Sequence, residues 1–150
     1  MKTQKIIIVV LSAFLLSCNS VDKNPLEGTW KLIEFKFTFP DSTVIEYPGN
    51  VTKCYSSWML SGSNSLWYYK YKTDLDTVYS IDFGDMTYTF DGKTYKETYL
   101  ATQDEKFIGQ TFTYEIEIKN DTLTLSGPAP NEVEKLGCTV YEVLVRSDER

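Results

Sequence analysis

The sequence predicts an all-β protein, an antiparallel up-and-down β-barrel of about eight or nine strands. Three observations carry that expectation. Side chains beyond the first eighteen residues alternate apolar and polar with a period of two, and no window there keeps a helical period. Pairs of residues suited to tight turns, Gly62-Ser63, Asp91-Gly92 and Asn120-Asp121, separate the alternating runs. Aromatic residues make up 15% of the chain, half of them tyrosine, and they favour pleated strands over helices. The same strand count also fits a sandwich, but a barrel of about eight strands has an interior that side chains fill or that holds one small ligand.

The strands follow in order. Thr29–Phe39 comes first, and its apolar parity switches from Trp30 and Leu32 to Ile33, Phe35, Phe37 and Phe39, the sign of a bulge or sharp bend. Thr43–Tyr47 follows. A hairpin around Gly62-Ser63 sets Trp58 opposite Trp67 and Ser56 opposite Tyr69. Thr77–Asp82 reads as a short strand of its own. The hairpin at Asp91-Gly92 puts Tyr95, Glu97 and Tyr99 on the side of Met86, Tyr88 and Phe90, whichever loop length closes it. Gln103–Ile108 reads as a helical turn. Gln110 to Lys119 alternates most clearly, with Phe112, Tyr114, Ile116 and Ile118 on one face. The Asn120-Asp121 turn then pairs Ile118 with Leu123 and Ile116 with Leu125. Asn131–Gly137 reads as a loop, and Cys138–Arg146 as the last strand. No internal repeat or second domain is visible.

The first eighteen residues have a different character. Lys2 and Lys5 precede an apolar run from Ile6 to Leu16, and small Ser17 stands before Cys18. As helix this run reaches only ~16 Å, about half of a ~30 Å hydrocarbon core, so it reads as a secretory signal rather than a span. Leu15-Leu16-Ser17-Cys18 resembles the bacterial lipobox. That likeness implies cleavage before Cys18 and acyl chains on the new terminus, with stable anchoring because more than one chain is attached. The expected organisation is a signal peptide at 1–17, a lipidated tether at 18–26 and a barrel domain at 27–150. The expected location is the cell envelope of a Gram-negative bacterium. Asn19, where aspartate is the usual inner-membrane retention signal, favours the outer membrane.

Composition excludes several function classes. The formal charge is −6, and losing Lys2 and Lys5 makes it more negative, whereas phosphate backbones need clustered lysine and arginine; nucleic acid is excluded as a partner. The membrane is the partner the anchor implies, and no protein partner is legible. There is no histidine, which removes the commonest general base and every Ser-His or Cys-His arrangement. The expectation is a protein that is not an enzyme, with no cofactor and no metal. Asp74, Asp76, Asp82 and Asp85 lack the spacing and glycine of a calcium loop. Cys54 and Cys138 are an even pair in a compartment that permits a disulfide, with two buried thiols as the alternative.

Glu97 is the residue that stands out. It shares a face with Tyr88, Phe90, Tyr95 and Tyr99, where a dry, uncompensated carboxylate would be costly. Either tyrosine hydroxyls or a wet rim satisfy it, or it gives a ligand its oriented polar contact among aromatic rings. Trp58, Trp67 and Tyr69 join it as candidate ligand-binding residues, against the plain alternative of cross-strand pairs that stabilise the sheet. The binding reading predicts a hollow barrel holding a small apolar or amphipathic molecule. The alternative, an envelope structural or interaction lipoprotein, predicts a solidly packed barrel with an exposed aromatic patch outside.

Leu26-Glu27-Gly28-Thr29-Trp30 carries the Gly-x-Trp pattern that opens lipocalins and related calycin barrels. Met86–Glu97, Phe107–Phe112, Asp121–Pro128 and Tyr141–Arg146 follow in the same order. Together they resemble a family of uncharacterised lipocalin-like lipoproteins of Gram-negative bacteria. The resemblance implies a calycin-type barrel behind a lipid anchor, with no established ligand. It further implies that Arg146 on the last strand stacks over Trp30 on the first and closes one end of the barrel.

Overall fold

The computed structural model describes residues 24–73, 77–128 and 137–147; the leader, Cys18, Asp74–Asp76 and most of the Asn131–Gly137 loop lie outside the described residues. Nine strands run through them: β1 (Gly28–Thr38), β2 (Val44–Tyr47), β3 (Val51–Ser61), β4 (Asn64–Thr73), β5 (Ser80–Phe90), β6 (Thr94–Thr102), β7 (Thr111–Lys119), β8 (Thr122–Pro128) and β9 (Thr139–Arg146). All pairings are antiparallel. Eight strands close a ring in the order β1-β3-β4-β5-β6-β7-β8-β9, with β9 returning to β1, and β2 is an additional strand on β1. The fold is therefore a closed eight-stranded barrel with one extra strand. Among the described residues the buried apolar side chains run from Leu26 to Leu144, all of which a chain beginning at Asn19 retains.

Local chemistry sets the registers. Asn120 takes a left-handed φ of 54°, which asparagine tolerates, and the turn pairs Ile118 with Leu123 and Ile116 with Leu125. Gly62, at φ 59°, turns β3 into β4 and sets Trp58 against Trp67 and Ser56 against Tyr69. At the β5–β6 turn the Asp91 carboxylate accepts from the backbone N–H groups of Lys93 (3.0 Å) and Thr94 (2.7 Å). The pairs that result are Phe90 with Tyr95 and Tyr88 with Glu97. A 3-10 turn at Glu105–Phe107 follows β6.

The parity switch in β1 is a bulge between Leu32 and Glu34. Ile33 is the inserted residue; it faces outward at 43% exposure instead of sharing the inner face with Phe35. The bend divides the strand's partners. β3 pairs with β1 only at Gly28–Trp30, whereas β2 takes Phe35–Thr38. Where the β3 ladder ends, the Leu32 N–H donates instead to the Ser56 hydroxyl at 2.8 Å.

One end of the barrel is sealed by the segment before β1. Leu26 and Trp30 are fully buried, and the Trp30 indole N–H donates to the Leu26 carbonyl at 2.8 Å. The Arg146 guanidinium lies over the Trp30 ring, 4.2 Å from its centroid, and donates to the carbonyls of Glu27 (2.7 Å) and Pro25 (2.9 Å). Gly28 makes room for it: at φ 130°, a Cβ there would sit 2.8 Å from the guanidinium. Asn24 adds a hydrogen bond to the Tyr88 hydroxyl at 2.8 Å.

One further expectation is corrected, and of the two alternatives for the cysteines the structure has the unpaired one. Thr77–Asp82 is not a separate strand: from Ser80 it runs unbroken through Phe90 as β5. Cys54 and Cys138 are not paired; both are free thiols. Cys54 is on β3 and Cys138 just precedes β9, and β1 lies between these two strands. Two strand spacings of ~4.8 Å already exceed the ~7 Å limit for a bridged Cα pair.

Candidate functional site

The barrel is hollow. A cavity of about 900 Å³ occupies the half away from the Arg146 seal, near the top of the size range of small-molecule pockets. Its rim is formed by strand ends and the 3-10 turn, with Phe39, Ile45, Thr73, Gln103, Asp104 and Phe107 around it. Deeper in, the wall is aromatic: Trp58, Trp67, Tyr69, Tyr99 and Tyr114 all line it. Trp67 stacks on Tyr69 with centroids 5.0 Å apart and meets Tyr99 edge-on at 6.3 Å.

Two strand glycines shape that wall. A Cβ on Gly84 would stand 2.7 Å from the Trp67 indole nitrogen, and one on Gly127 would stand 2.8 Å from the Tyr114 ring. Each glycine lets a large ring lie flat on the neighbouring strand instead of crossing the lumen.

Two carboxyl groups enter the cavity, Glu97 from β6 and Glu142 from β9, only 5% and 8% exposed. Burial pushes the Glu97 carboxyl up to about 8 from its ordinary 4.5; the charge of Glu142 adds to this, and the hydroxyls of Tyr95, Tyr114 and Tyr99 work against it. Burial likewise lifts Glu142 to about 7, opposed by Tyr69, whose hydroxyl reaches both carboxyl oxygens at 3.1 Å. Asp82, nearer the rim, is also held above its ordinary value by burial. No lysine or arginine is among the described residues lining the cavity. Among the described residues, no three acidic or thiol groups cluster as a metal site.

The candidates from sequence separate into two sets. Glu97, Tyr99, Trp58, Trp67 and Tyr69 line the cavity. Tyr88 and Tyr95 do not: they are core residues of the sealed half, where Tyr88 accepts from Asn24 and the Tyr95 hydroxyl donates to Ser65 at 3.1 Å. Ser65 also accepts the Trp58 indole N–H, at 2.6 Å. Sequence reasoning missed Glu142, although the signal was present. Val140, Glu142 and Leu144 share one parity, and all three are buried.

Fold and site together define a closed antiparallel β-barrel with an aromatic-walled, acid-bearing cup at one end. No family model and no curated protein matches the chain. Among solved structures, an uncharacterised protein from Bacteroides eggerthii is similar, with 13% identity over 81% of this chain and 98% of that chain, at a TM-score of 0.42.

Proposed function

We propose that this protein is a lipocalin-like lipoprotein, anchored through Cys18 at the outer membrane, whose barrel binds a small apolar or amphipathic molecule. The observation that supports the reading is the cavity of about 900 Å³ walled by tryptophan and tyrosine. Unfilled apolar space is costly, because the lining forfeits packing contacts, and a barrel that only held its shape would be filled by its own side chains. Binding needs no chemistry from the protein, in keeping with a chain that has no histidine.

Nile red, neutral and apolar, tests the reading on the chain from Asn19 onward. Its emission rises to saturation at one dye per barrel and drains energy from Trp58 and Trp67. Failure of the dye, and of small apolar displacers, to enter at any soluble concentration refutes the binding role. The anchor is tested in the intact chain by labelling with an alkyne-tagged fatty acid, which Cys18→Ser abolishes.

A protein-contact role has one observation in its favour. On the outer face of β3–β5, Met59, Leu66, Tyr68 and Phe83 are exposed side by side, Met59 paired with Leu66 and Tyr68 with Phe83. Cross-linking in intact cells, lost on Leu66→Asp and Tyr68→Asp, would establish that surface as a second function beside the cup.

A further inference from the structure

Resting on the reading of the barrel as a binding cup, we infer that its ligand is an organic cation: an amine or quaternary ammonium group on an apolar body, held between Glu97, Glu142 and the rings of Trp67, Tyr69 and Tyr99. Size and aromatic walls alone would suit any apolar guest. The two carboxyls narrow the choice. Both are more than nine-tenths buried, both face the lumen, and no described cation lines the cavity with them. An anionic guest would oppose every ionised carboxyl of the lining, Asp82 and Asp104 as well as Glu97 and Glu142, and a neutral guest would leave the ionised forms uncompensated. A cation compensates them, and the negative faces of the stacked rings attract it further.

The alternation of the strands makes the charge pattern one-sided. On β4, Trp67, Tyr69, Tyr71 and Thr73 line the cavity, while Lys70 and Lys72 have the opposite parity and lie over Tyr79 outside the lumen. Arg146 is committed to the seal. Among the described residues, the positive charge is therefore kept off the surface that the acids face.

Proton linkage gives this reading its own signature. The groups facing the carboxyl pair are Cys54 on β3, Tyr69 on β4, Asp82 on β5, Tyr95 and Tyr99 on β6, and Tyr114 on β7. Burial holds the tyrosines and Cys54 protonated through neutral pH. Between pH 6 and 9 Glu97 and Glu142 therefore titrate, with Asp82 raised in the same direction by burial. A permanently charged guest favours their ionised forms, so its binding releases protons and tightens as pH rises.

Three probes sharing an eight-carbon chain test the inference on the chain from Asn19 onward: octyltrimethylammonium, octanol and octanoate, followed by tryptophan emission. At pH 8.5 octyltrimethylammonium binds about tenfold more tightly than octanol, and octanoate most weakly. Its affinity falls between pH 8.5 and 5.5 while that of octanol holds, and calorimetry in two buffers of different ionisation enthalpy records released protons. Glu97→Gln with Glu142→Gln brings octyltrimethylammonium down to the octanol level and leaves octanol binding intact. Should the double variant fail to fold, Glu142→Gln alone and the wild-type pH profile carry the same comparison. Octanol binding as tightly as the cation, or a flat pH profile, overturns the inference while leaving the binding cup in place. Failure of all three probes overturns both.

Discussion

Glu97→Gln stabilises this protein at alkaline pH, the reverse of what removing a buried partner ordinarily does. In the unfolded chain this glutamate ionises at its ordinary 4.5; in the barrel it holds its proton to about 8. Between those values the unfolded state gives up the proton first, so the folded state loses stability as pH rises, and below 4.5 the two states differ little. A tenfold change in an ionisation equilibrium is worth about 1.4 kcal/mol, which sets a ceiling of about 5 kcal/mol for the cost of the charged form at pH 9. Water entering through the open rim relaxes part of this, leaving a gain of about 2 kcal/mol for the amide. With a urea slope of about 2 kcal/mol per molar, the unfolding midpoint rises by about 1 M at pH 9. At pH 5 the two proteins unfold within ~0.5 kcal/mol of each other. Urea titrations followed by tryptophan emission at both pH values give the comparison. If the variant is the weaker protein at pH 9, or gains equally at both, the carboxyl is stabilised by its surroundings and the argument from burial is wrong.

Other perturbations report on the seal, the wall and the thiols. Arg146→Met removes the stacking over Trp30 and both carbonyl contacts of the seal, and lowers stability by about 2–3 kcal/mol in thermal or urea unfolding. Gly84→Ala places a methyl within 3.0 Å of Trp67 and Tyr99, destabilises by about 1–3 kcal/mol and shifts the tryptophan emission. Cys54, its thiol pushed up to about 11 by burial and by the nearby Glu142, reacts with a disulfide reagent at pH 8 only slowly until urea opens the barrel. Because both thiols are free, reductant leaves the melting temperature unchanged; a drop would reveal a bond.

The sequence was most legible where a turn fixes the pairing and the alternation is unbroken. The β3–β4 and β7–β8 hairpins pair as their turns require, and the bulge in β1 falls at the parity switch. The pattern failed where the barrel is hollow. Along β5 the cavity meets the carboxyl of Asp82, with the half-exposed Ile81 at the rim beside it, and the next inward position is a glycine, Gly84, while Phe83 is 37% exposed. A strand lining a cavity need not be apolar inside, so hydropathy read one continuous strand as two. Glu142 was overlooked for the same reason. The parity of Val140 and Leu144 placed Glu142 on the inner face, but hydropathy alone gives an acid no place there unless the interior it faces is open. Tyr88 and Tyr95 erred the other way, because parity tells inside from outside but not how far along the axis a side chain stands.

The polypeptide comes into the barrel through its floor, with Asn24 to Glu27 lying across it. Only five residues separate Cys18 from Asn24, a leash of at most ~22 Å. With acyl chains on Cys18, as proposed, that leash ties the floor to the lipid and leaves the doorway looking into the aqueous compartment. On the proposed reading, a receptacle mounted this way would collect what is dissolved in the space around it, not what is embedded in the bilayer beneath.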